Sequence, residues 1–183
     1  MKKLIYVLIF GASVITLNSC DWFDDVTTQD INFSTNLSFD AHVNQEEEGE
    51  FNEVITFDAL EDEEILRYKD DVKKIEVLGL SYKVSQLNSD HEELIFDGKL
   101  EYKIGAGPKL PLAELNGVDI NALAASGEET DLDIPSNILT VLMETFESYN
   151  EVTIYVTGTL SEVPADFHME IKTDLKVTAE VEI

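Results

Sequence analysis

Apolar and polar residues alternate with a period of two along most of the chain, the pattern of strands that bury one face. From Ile31 onward, Ile31, Phe33, Leu37, Phe39, Ala41 and Val43 fall on one side, and Asn32, Ser34, Asn36, Ser38, Asp40 and His42 on the other. The polar run Gln45 to Glu50 separates this strand from a second one through Phe51, Ile55 and Phe57, and the short spacing predicts a hairpin. Alternation breaks at DALEDEEILRYKDDVKK, where Asp58 can cap a short helix, Glu61 follows three residues on, and Ile65, Tyr68 and Val72 recur at helical spacing. Strand character returns in IEVLGLSYKVSQL. Its apolar phase shifts from Ile75 and Val77 to Leu78, Leu80, Tyr82 and Val84, so Gly79 marks a bulge.

A further strand points Leu94, Phe96, Leu100, Tyr102 and Ile104 inward, with Asp97, Lys99, Glu101 and Lys103 outward, and ends at Gly105-Ala106-Gly107-Pro108. Lys109 to Pro135 is the least periodic stretch and reads as loop, with some local helix and one short strand at Leu132 and Ile134. Ser136 can cap a second helix, on which Leu139, Leu142, Met143 and Phe146 form an apolar stripe. Two clear strands finish the chain: one through Val152, Ile154, Val156 and Leu160, and a long one from Phe167 to Ile183. At least six alternating strands without a strand-helix-strand rhythm predict an antiparallel β-sandwich, immunoglobulin-like or related, with two short covering helices. A barrel is the alternative, and the two helices favour the sandwich.

The front of the chain is built differently. Lys2 and Lys3 precede an apolar run, Leu4 to Leu17, that stops at Cys20, which is the layout of an export signal and too short for a comfortable membrane span. Leu17-Asn18-Ser19-Cys20 resembles the lipobox of bacterial lipoproteins, in which the chain is cut just before the cysteine and that cysteine is lipidated. The resemblance implies cleavage between Ser19 and Cys20 and an anchor on Cys20. It divides the chain into a signal (1–19), a lipidated cysteine with an acidic tether (20–30) and one sandwich domain (31–183). Cys20 is the single cysteine, so a disulfide framework is excluded and modification accounts best for the thiol. The stretches ILRYKDDVKKIEVLGLSYKV and NEVTIYVTGTLSEVPADFHMEIK resemble β-sandwich envelope lipoproteins of Gram-negative bacteria, which implies a fold and a location rather than an activity. The expected location is the cell envelope, at the outer membrane, on the periplasmic side or surface-exposed. Asp21, Asp24 and Asp25 resemble the surface-export signal of some lipoproteins, whereas in other bacteria an acidic residue at the position of Asp21 retains the protein in the inner membrane.

Charge narrows the partners. Two of the 12 basic residues lie in the signal, so the mature chain sets 10 against 38 acidic residues, a net −28. That excludes nucleic acid and electrostatic attraction to an anionic bilayer, leaving the lipid as the route to the membrane. The plain reading is a soluble, self-repelling surface. Calcium is the sharper one, with Gln45 to Glu50, Asp90 to Glu93 and Glu128 to Asp133 as oxygen-rich clusters, none of which has the EF-hand spacing. There is no G-x-S-x-G, H-E-x-x-H or P-loop. His42 and His168 fall on polar strand faces, and His91 sits in a turn with Asp90, Glu92 and Glu93, the weak candidate metal ligands. Tyr155, on the face of Thr153, Thr157 and Thr159, is a candidate carbohydrate contact. The expectation is a non-catalytic binding or structural module, with no catalytic residue and no cofactor beyond the lipid. An envelope protein or a carbohydrate is its expected partner. The alternatives are a carboxylate-based hydrolase acting on glycans and a calcium-dependent adhesion module.

Repulsion among 38 acidic groups destabilises the compact state, and simple salt screens it without selecting between cations. The melting temperature is therefore expected to rise with ionic strength, and calcium to add nothing beyond magnesium or sodium chloride at matched ionic strength. A saturable, calcium-specific rise in a melting titration would contradict this.

Overall fold

The longest alternating run forms the strand on which the first sheet is built. The computed structural model describes residues 28–148 and 151–182. In chain order the elements are β1 (Thr28–Gln45), β2 (Glu50–Phe57), α1 (Glu63–Arg67), β3 (Val72–Asn88), β4 (Ile95–Ile104), β5 (Leu110–Asp119), α2 (Ile120–Ser126), β6 (Thr130–Asp131), α3 (Ser136–Glu147), β7 (Val152–Leu160) and β8 (Ala165–Glu182). They make two four-stranded antiparallel sheets, ordered β1-β8-β3-β6 and β2-β7-β4-β5.

The pairs are nested: β1 with β8, β2 with β7, β3 with β6, and β4 with β5. A chain doubled back at the β4–β5 turn and then rolled so that successive pairs fall in alternate sheets has this order, which is that of a jelly roll. The expected antiparallel sandwich forms, and its strand order belongs to this related branch of the class. The β1–β2 hairpin does not form. Those strands lie in opposite sheets, because β8 offers β1 an unbroken register of 18 residues, Thr28 opposite Glu182 through Gln45 opposite Ala165. The eight residues of β2 pair with β7 instead. β1 also takes in Thr28 to Asp30, assigned above to the tether, since Asp30 pairs with Glu180 in register and its carboxylate lies 3.5 Å from Lys73 Nζ.

Between Lys109 and Pro135, read above as loop with some local helix and a short strand at Leu132 and Ile134, the chain forms β5, α2 and β6. The short strand thus lies at Thr130–Asp131, and the described residues hold three α-helices rather than two. A register shift against β4 between Leu100 and Glu101 leaves Leu112 as an extra residue, so Leu112 and Leu115 both face inward although they are three residues apart, which hid the strand from its alternation. Asp119 accepts from the Ala122 N–H to start α2, and Gly127, at φ 63°, ends it. The helix expected from Asp58 to Val72 is shorter. Asp58 caps only a 3-10 turn (Ala59–Glu61), Asp62 accepts from Glu64 and Ile65 to start α1, and Val72 already opens β3. Ser136 opens α3 without a side-chain cap bond. The bulge at Gly79 is present between Val77 and Gly79, and it turns Leu78 outward to 59% exposure rather than into the core.

One sheet outruns the other. β8 has 18 residues and β7 nine, so the first sheet's inner row beyond β7 needs a second cover. Helices supply it: Ile65 of α1 and Leu142 and Phe146 of α3 are buried, and the Glu147 carboxylate accepts from the Ile75 N–H at 3.1 Å. Asp62 ties α1 to β1 by accepting from Thr35 Oγ1 at 2.5 Å, and Tyr68 packs against Phe33 with ring centroids 5.7 Å apart and planes tilted by 42°.

Between the sheets, the buried Phe96 ring lies over Gly98 and Gly158, which face each other in register. A Cβ on Gly158 would overlap that ring and come within 2.6 Å of the Asp97 carbonyl and 2.8 Å of Gly98 Cα. Gly158→Ala is expected to lower unfolding free energy by about 1–3 kcal/mol, the usual cost of overpacking. Gly79→Ala, where a Cβ meets nothing within 4 Å, is the control and should leave the urea midpoint nearly unchanged.

Candidate functional site

Two short motifs of the same form, Asp40-Ala41-His42 and Asp166-Phe167-His168, face each other on the outer side of the first sheet. Alternation puts all four polar side chains on that face, and the β1–β8 register places His42 directly opposite His168. Their rings stack at 4.5 Å between centroids with 11° between planes. Antiparallel pairing makes each histidine a diagonal neighbour of the other strand's aspartate. His42 Nε2 lies 2.7 Å from Asp166 Oδ1, and His168 Nδ1 lies 2.5 Å from Asp40 Oδ2. Beside this quartet, Ser38 Oγ donates to Glu170. A groove of about 370 Å³ runs past Ser38, Asp40, His168 and Glu170 to Ser85 and Gln86. Gln86 has φ 53° where the β3–β8 register slips between Ser85 and Asn88.

Each ring has one nitrogen committed to a carboxylate, and no hydroxyl or thiol is bonded to either ring among the described residues. The His42 side chain is 51% exposed and that of His168 25%. Such a quartet locks the first strand to the last and offers a polar surface for recognition. Each aspartate orients its imidazole as in a hydrolytic triad, but among the described residues no nucleophile stands against either ring. Sequence reading placed both histidines on polar faces but missed their meeting, and the repeated Asp-x-His was the signal available.

The other predicted residues are dispersed. Ser19 and Cys20 lie outside the described residues. Asp90, Glu92 and Glu93 are exposed: Asp90 lines a groove with Asn44, Glu46 and Asp166, while Glu92 and Glu93 share another of about 540 Å³ with His91, Ile95, Ser161 and Glu162. His91 is half-buried. Its N–H donates to Ser89 Oγ and its carbonyl accepts from Asn121 Nδ2, while its Nε2 and Asn121 Oδ1 are enclosed without partners. No group of three or more His, Cys, Asp or Glu side chains among the described residues is arranged to hold a metal ion. In the acidic stretch Glu128 to Asp133, Glu129 is drawn to Lys172 at 3.1 Å, and Asp131 lies in β6. On the second sheet, Lys109 Nζ sits 3.4 Å from the centroid of the Tyr155 ring, so a sugar would have to displace an ammonium to stack there.

Lysines offset the acids on the face that carries the quartet. Lys73 bridges Glu180 at 2.6 Å and Asp30 at 3.5 Å, Glu76 lies between Lys74 and Lys176, and Lys172 meets Glu129 and Asp174. The Lys73 hydrogen bond, with a second from Thr28, holds the Glu180 carboxyl below its ordinary range. Lys74 and then Lys176 do the same for Glu76. Lys73 and Lys172 are raised in turn, chiefly by Glu180 and Glu129.

No family model and no curated protein matches the chain. A solved chain from Desmodium yellow mottle tymovirus is similar with a TM-score of 0.40 and 8% identity, over 84% of this chain and 85% of that one. Among the described residues, no helix is long and apolar enough to cross a membrane.

Because the folded-state values of Glu76 and Glu180 are depressed, their stabilisation is complete above the ordinary carboxylate range and is lost as pH falls through the depressed values. Urea unfolding from neutral pH into the acid range should show the midpoint falling. Glu76→Gln with Glu180→Gln should start lower and fall less steeply, and parallel curves for the two proteins would refute this.

Proposed function

We propose that the chain is a lipid-anchored cell-envelope protein whose sandwich acts as a non-catalytic binding or structural module. The observation that carries this is Leu17-Asn18-Ser19-Cys20 behind a short apolar run with two leading lysines, a combination that resembles a lipobox. Processed lipoproteins carry two or three acyl chains, and each buried CH₂ adds about 0.8 kcal/mol, so the anchor would be effectively permanent. The outer membrane is the proposed location.

The geometry fits a tethered domain. From Cys20 to Thr28 the chain can span at most about 29 Å at full extension, so the fold would stay close to its membrane. β1 enters beside Glu182, whereas Gln45 lies beside Ala165 at the other end of the same ladder. The loops 46–49, 89–94 and 161–164 gather at that far end and carry Glu46, Glu47, Glu48, Asp90, Glu92, Glu93 and Glu162, without a lysine or arginine. A partner approaching that rim meets seven carboxylates and no lysine or arginine, which disfavours an anionic one. The carboxyls with displaced titration, Glu76 and Glu180, are lowered and sit on open surface beside lysines, unlike the raised acid a glycosidase needs.

Replacing Cys20 with Ser tests the anchor. The wild type is expected to take up radiolabelled palmitate and partition into detergent, and Cys20→Ser to take up no label and to appear as unprocessed precursor or soluble protein. Labelling of the variant would overturn the reading, since the chain has no other thiol.

A further inference from the structure

β1 forms one edge of the first sheet and pairs on one side only, with β8. Among the described residues, its backbone forms no other backbone hydrogen bond. Edge strands are normally blunted by lysines, prolines, bulges or shortness, because a row of open N–H and C=O groups is a template for another strand. β1 has no lysine, proline, bulge or shortness to blunt it: 18 residues, no Lys, Arg, Pro or Gly, and an unbroken register. The turn 61–64 beside it stands across a groove from Asn36 to Phe39 without a backbone hydrogen bond to the strand. Within it, residues 31–39 are uncharged in a chain that is 27% charged.

The sequence of this edge is also close to a palindrome. Phe33-Ser34-Thr35-Asn36-Leu37-Ser38-Phe39 reads almost the same in both directions about Asn36. An antiparallel pair of identical strands related by a two-fold axis at Asn36 would set Phe33 opposite Phe39, Ser34 opposite Ser38, Thr35 opposite Leu37 and Asn36 opposite itself. Farther out, Asp30 would face His42 and Asn32 would face Asp40, so no carboxylate opposes another. Moving the axis one residue, to Thr35, sets Asp30 against Asp40. Phe33 and Phe39 are only partly buried within one copy and so have surface left to cover. A groove of about 440 Å³ lies along Asn36 to Phe39, and its opposite wall is Glu61, Asp62, Glu63 and Glu64. An acidic strand would be repelled there, whereas the uncharged centre of β1 would not.

We propose that β1 is a dimerisation strand: two copies of this chain pair antiparallel through their β1 edges about Asn36, joining their first sheets into one continuous eight-stranded sheet. An isologous contact of this kind closes on itself and leaves no free β1 edge. The proposal is independent of the lipid anchor.

The test is disulfide trapping of the full chain, with sedimentation to measure assembly. Under mild oxidation Asn36→Cys should give a linked dimer. Asp40→Cys, whose two copies would lie about 27 Å apart along the strands, should give no more than the wild type. The wild type carries only Cys20, so it sets the background whether or not that residue is lipidated. Asn36→Asp puts like charges face to face on an exposed, nearly isosteric side chain. It should weaken the dimer by about tenfold or more, with circular dichroism and melting of the monomer unchanged. A wild type that sediments as a monomer at its highest soluble concentration would overturn the proposal, whether residues 21–27, another protein or nothing covers the edge. So would equal trapping at positions 36 and 40, or a wild-type dimer unaffected by Asn36→Asp.

Discussion

The 18-residue ladder between β1 and β8 joins the start of the described chain to its end, and the remaining pairs nest inside it. With β1 held against β8, β2 and β7 follow across the sandwich, then β3 with β6, then the β4–β5 hairpin. Each inner pair therefore has its ends brought near by the pair outside it. Closing a loop of more than 100 residues costs only slowly growing chain entropy, so the outermost ladder is affordable once its side chains are buried. The buried row from Ala165 through Phe167, Met169 and Ile171 to Leu175, Val177 and Ala179 supplies that burial. Non-local pairing of this kind belongs to the slow end of folding, where rates are about milliseconds to seconds.

From the length of that ladder follows the division of labour between strands and helices. β7 covers only part of β8, and an uncovered apolar row would be left facing water. α1 and α3 fill the gap with Ile65, Leu142 and Phe146, and polar links from Asp62 and Glu147 fix the helices against β1 and β3. The bulge at Gly79 falls in this extended region, where β3 passes from partners under the helices to partners inside the sandwich. Leu78 is turned out as a consequence, and its exposure reflects the register shift rather than an excess of apolar surface.

A chain of formal net charge −26 must hold its carboxylates apart or beside cations. Lys73, Lys74, Lys172 and Lys176 all serve the outer face of the first sheet, where the long ladder aligns acids from three strands. The loops at the other end of β1 receive no such help and rely on solvent and salt. The Asp40, His42, Asp166 and His168 quartet lies on the sheet face next to those loops, with two imidazoles stacked between two carboxylates. Its cross-strand bonds reinforce the ladder where it meets the acidic rim.

Period-two alternation, read from residues alone, determined most strands, the inward rows of β4, β7 and β8, the β3 bulge and the sandwich class, because burial of one face imposes that period wherever the strand pairs. The segment containing α3 was legible from its stripe for the same reason. β5 was not, since the extra residue at Leu112 leaves Leu112 and Leu115 both inward and erases the period. Pairing was not legible either. Alternation says which face of a strand is buried and nothing about its neighbour, so β1 and β2, adjacent in sequence, could be read as a hairpin although each pairs near the far end of the chain. The same limit hid the histidine pair: each residue's face follows from its own strand, while their contact depends on a register set across more than 100 residues. The lipobox resemblance rests on local residue types alone and lies outside the described residues. The open edge of β1 and its self-complementary register became visible only once the tertiary structure had decided which strand lies at the border of the sheet.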